Sequence, residues 1–269
     1  MSAASAPRSA PPTVGSAPDA PGRTGTIRDT GVVRRDGVRT ARWTTVGLAK
    51  IQGDVDVGSG SSDGLLSVAG KLRAGSFRAR GTVEVVGTTE VEGSLALDGT
   101  VHFESGLRAG ELTSRGTLRS GGPVRVDRTW FARGAVEAPA VTVGVLELSG
   151  SAEVPGELSA SAAVHARFRG DSRLGTVRAR AVELRGPPTS LIPTLWRTVF
   201  GGSAAVEVGR VEADSVVLSA VDVGFVHARQ IVLGPGAHVT TVEGTVVERH
   251  PTSRIGPESR SPRPHGLSR

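Results

Sequence analysis

The chain has 269 residues, no cysteine, a formal net charge of +6, and three Trp and six Phe with no Tyr. Disulfide frameworks and thiolate metal sites are therefore excluded, and base-stacking nucleic-acid binding has few aromatic platforms to use. No apolar stretch approaches the length of a membrane-spanning helix, and Met1 to Pro21 lacks the apolar core of a secretory signal, so a cytoplasmic location is expected.

Residues 1–26 are rich in Pro, Ala, Ser and Gly and read as disordered. Ile27 to Trp43 is transitional, with room for a first strand laid on the rest of the fold, so 1–43 is taken as a basic tail. From there glycines return as rungs: Gly47, Gly64, Gly81, Gly99, Gly116, Gly134, Gly150, Gly170 and Gly186, spaced 17, 17, 18, 17, 18, 16, 20 and 16 residues apart. Between them the alternation is two-fold, as in Thr82-Val83-Glu84-Val85 and Ser94-Leu95-Ala96-Leu97, and valine dominates. That pattern predicts short strands of three to five residues broken by Gly, Ser, Asp or Pro.

About three short strands in 15–18 residues is one coil of a β-solenoid, whose inward side chains are buried only when the next coil stacks on it. The chain is accordingly expected to be all-β, a single-stranded solenoid with its main rod over 44–186. Val68, Val83, Leu95, Val101, Leu118, Val136, Val154 and Val177 are its expected inward residues. A β-sandwich is the structural competitor, but its strands do not give near-identical copies at a fixed offset. Here residues 206–213 (Val-Glu-Val-Gly-Arg-Val-Glu-Ala) return 15 residues later as Val-Asp-Val-Gly-Phe-Val-His-Ala. Eight coils fit between Gly47 and Gly186 and about three more beyond Ala204, giving a rod about 50 Å long.

The rod is interrupted over 187–203, where Leu191, Leu195, Trp196, Val199 and Phe200 fall at helical spacing between Pro193 and Gly201-Gly202. A short amphipathic helical insertion is expected there, folding back on the rod, docking on a partner protein, or dipping into an anionic membrane surface. The final coils run over 204–248, and 249–269 is a second basic, disordered tail. Residues 1–42 carry seven Arg against three Asp, and 250–269 four Arg against one Glu, leaving the body close to neutral. The basicity therefore belongs to the ends, and no sequence-specific nucleic-acid partner is expected.

No chemistry-bearing constellation emerges. The histidines (His102, His165, His227, His238, His250, His265) are scattered without H-x-x-x-H spacing, and neither a G-x-S-x-G elbow nor a phosphate-cradling loop is present. Asp54, Glu84, Glu92, Glu147 and Glu183 stand singly among apolar neighbours, as on an outward strand face. No catalytic residue, cofactor or metal is expected, and the chain reads as a non-enzyme.

In Val46-Gly47-Leu48-Ala49-Lys50-Ile51-Gln52-Gly53-Asp54-Val55, in Gly93-Ser94-Leu95, and in Val211-Glu212-Ala213-Asp214, Val226-His227-Ala228-Arg229 and Ile231-Val232-Leu233-Gly234-Pro235-Gly236, the chain resembles the bactofilins. Its C-terminal part is similar to their longer related branch. The resemblance covers roughly residues 44–248 and implies a right-handed β-helix between disordered tails in a polymer-forming cytoskeletal protein. Two departures stand out: a core longer than is typical, and the break at 187–203. Exposed β-edges at the solenoid ends then imply a homopolymer built without nucleotide, by like-end or head-to-tail contacts. Val46, Leu48, Val239 and Val242 are the expected subunit contacts. The alternative is a monomeric solenoid that recruits a partner protein or membrane through 187–203.

Overall fold

The structure, a computed structural model, describes residues 24–187 and 205–256. They form one parallel β-solenoid of about 13 turns. The strands are β1 (Thr26–Arg35), β2 (Val38–Ile51), β3 (Val55–Val68), β4 (Leu72–Val85), β5 (Thr89–Phe103), β6 (Leu107–Ser120), β7 (Val124–Glu137) and β8 (Val141–Phe168). They continue with β9 (Ser172–Arg178), β10 (Ala181–Arg185), β11 (Val206–Ser219), β12 (Asp222–Leu233), β13 (His238–Arg249) and β14 (Arg254–Ile255). Every strand pairs parallel with the next coil. At about 4.8 Å per coil the rod is about 60 Å long. It is thus longer than the eleven coils expected: it begins one coil earlier, at Thr26, and β14 starts a further coil beyond residue 248.

Strands β2 to β7 run 14 or 15 residues where three to five were expected, since hydrogen bonding to the neighbouring coil continues round the corners. The short segments survive in the burial pattern. In β6, Leu107 with Ala109, Leu112 with Ser114, and Leu118 with Ser120 turn inward as three pairs, giving a three-sided coil. Each inward position stacks on its equivalent: Val38, Val55 and Leu72 on one side, and Ala49, Leu66, Val83, Val101, Leu118 and Val136 on another. All eight inward residues read from the sequence are buried. Each such Val or Leu contributes about 1.5–3 kcal/mol.

The second side adjusts to its bulky members. Its column runs Ile27, Trp43, Gly60, Phe77, Leu95, Leu112, Trp130, Leu146. Gly60 lies between two rings whose centroids are 6.4 Å apart, and a Cβ there would strike the Phe77 ring. Both buried indoles are satisfied by a polar residue of the coil before: Trp43 donates to Asp29 and Trp130 to the Ser114 hydroxyl, each at 3.0 Å.

The glycine rungs form one corner. Gly31, Gly47, Gly64, Gly81, Gly99, Gly116, Gly134 and Gly150 stack in register, with φ between +81° and +151°. A Cβ on any from Gly47 onward would collide with the carbonyl oxygen of the glycine below. Gly31 is an additional rung. Gly170 is not one, having no left-handed φ and nothing nearer its would-be Cβ than Ser151 at 3.7 Å. A second corner column, Gly53, Gly70 and Gly87, is continued past Gly156 by Gly175, Gly209 and Gly224, each closely abutting the carbonyl below.

The predicted helical insertion falls, apart from Pro187, outside the described residues, among which there is no helix. The stack beside it is unbroken. β9 and β10 pair directly with β11, with Val177 against Val211 and Leu184 against Leu218. Arg178 fastens this join, reaching Glu157 at 3.2 Å on one side and Glu212 at 2.7 Å on the other. The tails over 1–23 and 257–269 also lie outside the described residues.

Gly99→Ala is expected to cost more than about 2 kcal/mol, from left-handed strain and the carbonyl clash, while Gly170→Ala changes stability by less than about 0.5 kcal/mol. Urea unfolding of the two variants checks the difference.

Candidate assembly interface

Parallel stacking leaves the first and last coils with one unpaired side each. Among the described residues, β1 pairs only with β2. At the other end, among the described residues, β14 covers only His238 and Val239 of β13, so Thr240–Arg249 present an open edge there. Such a row of free N–H and C=O groups is a template for another strand.

The two ends differ chemically. At the start, Asp29 points inward where later coils carry Thr45, Ser62 and Ala79. Its carboxylate accepts hydrogen bonds from Arg35 at 2.6 and 3.0 Å and from the Trp43 indole. The hydrogen bonds from Arg35, aided by Trp43, hold the Asp29 carboxyl below its ordinary range against the opposing effect of burial, and the Arg35 guanidinium is raised in turn. A charged, fully bonded lid therefore covers the first indole. At the far end the lid is apolar: Val242 and Val246 pack over Val226 and Ile231. Beside them Val247 is 62 % exposed, while Ser253 closes the last corner by donating to the His250 carbonyl at 2.7 Å.

The residues expected at the ends are placed otherwise, with one exception. Val46 and Leu48 lie in the second coil, paired on both sides, with Thr30 and Val32 below and Asp63 and Leu65 above. Both are exposed on the flank, where Val32, Leu48 and Leu65 make a short apolar ladder. Starting the rod at Thr44 puts the end one coil too late. Val239 is fully buried, covered by Ile255, and is core. Val242 does lie on the terminal coil. The five apolar residues Leu191, Leu195, Trp196, Val199 and Phe200 fall outside the described residues.

Outward columns carry the charge. Arg39, Asp56, Arg73, Glu90 and Arg108 alternate in sign through five coils, with pairs at 3.2 Å (Arg39–Asp56) and 3.4 Å (Arg73–Glu90). Each exposed pair adds little, about 0–1 kcal/mol, but in-register stacking would otherwise set like charges together. His165 and His227 each face a single carboxylate, Glu183 and Glu243. Among the described residues no group of three or more His, Asp or Glu could hold a metal ion. No helix there is long and apolar enough to cross a membrane.

No protein-family model, curated protein or solved structure matches the chain.

Because the folded Asp29 carboxyl lies below its unfolded value of about 3.9, its contribution is complete above that value and is lost as pH falls through the lowered folded one. Acidification is expected to loosen β1 from β2 first, read from the Trp43 indole N–H resonance. Asp29→Ala, which orphans that donor, costs about 1–3 kcal/mol at neutral pH.

Proposed function

We propose that the chain is a structural scaffold of bactofilin type, a cytoplasmic, non-enzymatic protein that polymerises through its solenoid ends without nucleotide. The observation that carries this reading is the pair of open parallel edges, Thr26–Arg35 at one end and Thr240–Arg249 at the other. Both edges are long, and they flank a core whose inward columns reach the last coil. Association would bury Ile27 and Val246 and satisfy the free backbone groups together. Negative-stain microscopy of the purified chain, at low and physiological salt without nucleotide, is expected to show filaments or sheets. Val246→Lys should remove them and leave the β-rich circular dichroism unchanged, whereas Leu48→Arg, on the flank, should not. Discrete rods at every concentration would overturn the proposal.

One observation favours a second reading, recruitment of a partner protein or an anionic membrane through 187–203. β10 and β11 stack without that segment, and Gly186 and Ala205 anchor its two ends, bonded to Ser219 and Ser172 of neighbouring coils. The described coils stack without the segment, which under this reading serves another surface. Replacing 188–204 by a Gly-Ser linker is expected to preserve folding and assembly. Under this reading it abolishes co-sedimentation with anionic vesicles or pull-down of a partner.

A further inference from the structure

In-register stacking makes the two ends successive members of the same columns. One outward column can be followed through every coil: Arg34, Lys50, Ser67, Glu84, His102, Arg119, Glu137, Glu153, Arg173, Glu207, Asp222, His238, Arg254. Adding a coil after Arg254 therefore sets the next Arg34 upon it. Arg28 and Glu248 each stand six residues earlier, and so meet. The inward columns agree. Asp29 heads a column passing through Thr45, Ser62, Ala79, Leu97, Ser114, Ala132 and Leu148. β8 then stacks on itself, with the Arg169 N–H donating to the Gly150 carbonyl at 2.7 Å, which lays Ala166 over Leu148. From Ala166 the column ends at Leu184, Leu218, Leu233 and Arg249.

We propose, resting on the scaffold reading above, that copies join head to tail: β1 of one stacks parallel on β13 of the next, with Ile27 on Val246, Arg28 on Glu248 and Asp29 on Arg249. Apolar meets apolar, the Arg28 cation meets the Glu248 anion, and Arg249 stacks on the Asp29–Arg35 ion pair. Arg34 over Arg254 is the one like-charged step, and the same column already tolerates Glu137 over Glu153 and Glu207 over Asp222. Like-end contact fares worse, since two β1 edges would bring Arg28 and Arg34 together from both copies. A heterologous joint of this kind repeats without closing, so the filament is polar.

The absence of cysteine makes the joint testable by single-cysteine cross-linking. Thr26 and Thr245, exposed and just before Ile27 and Val246, become neighbours about 4.8 Å apart, within disulfide reach. Oxidising assembled mixtures of T26C and differently tagged T245C is expected to give the mixed disulfide, with neither variant cross-linking alone. Disulfides between like variants, or none in assembled material, would overturn the head-to-tail joint and leave the scaffold reading intact. No assembly by the wild-type chain would overturn both. R28E and E248R should each raise the concentration needed for assembly about tenfold at low salt, and the double reversal R28E/E248R should restore it. Failure of that restoration while wild type assembles would also count against the joint.

Discussion

The rod depends on how closely two successive turns of backbone can approach at a corner. At the Gly47–Gly150 corner a Cβ on any glycine would collide with the carbonyl oxygen of the glycine beneath, leaving no room for a side chain. The left-handed φ there turns the chain from one side to the next in a single residue. Because that contact repeats from coil to coil as far as Gly150, it fixes register there, and register decides what every other residue meets. Identical small corners stacked in line convert a one-dimensional repeat into columns.

Columns explain features that look arbitrary along the sequence. Gly60 has a place in a Val- and Leu-lined interior because Trp43 and Phe77 stand below and above it in the same file. Arg39, Asp56, Arg73 and Glu90 alternate in sign because they are neighbours in space, one coil apart. Trp43 and Trp130 find acceptors at Asp29 and Ser114 by the same geometry, a partner one coil earlier and one inward position along. The corner also tolerates an exception: Ala220, at φ +51° the one described non-glycine residue with positive φ, abuts Gly186 where the stack resumes after 187–203.

Legibility from the sequence followed this hierarchy. Seven of the nine rungs, Gly47 to Gly150, were readable because left-handed backbone and close approach admit only glycine, and the inward valines were readable from two-fold alternation. Gly170 shared the spacing without the contact, which spacing alone could not separate. Gly31 was not readable as a rung, and Ile27 to Trp43 showed only room for a first strand, because Arg28, Asp29, Arg34 and Arg35 give β1 the composition of a tail. This displaced the candidate interface by a coil, onto the flank residues Val46 and Leu48. Val239 looked terminal because the two-residue strand Arg254–Ile255 that covers it is too short to announce itself. The Asp29–Arg35–Trp43 cluster could not be read at all, since it needs the offset between β1 and β2, which no local pattern supplies.

The unequal lids obey the same logic and bear on assembly. An end coil has core on one side only, and a purely apolar surface there would associate with any apolar partner. Placing a bonded carboxylate beside Ile27 at one end, and Arg249 beside Val246 at the other, makes each surface costly to bury against a copy of itself. Under the head-to-tail proposal, the register that continues the columns sets Arg28 against Glu248 and lays Arg249 on the Asp29–Arg35 pair. Since like charges buried together penalise a wrong partner, the proposed head-to-tail joint needs only these few charged end residues to give direction to a rod whose coils are otherwise similar.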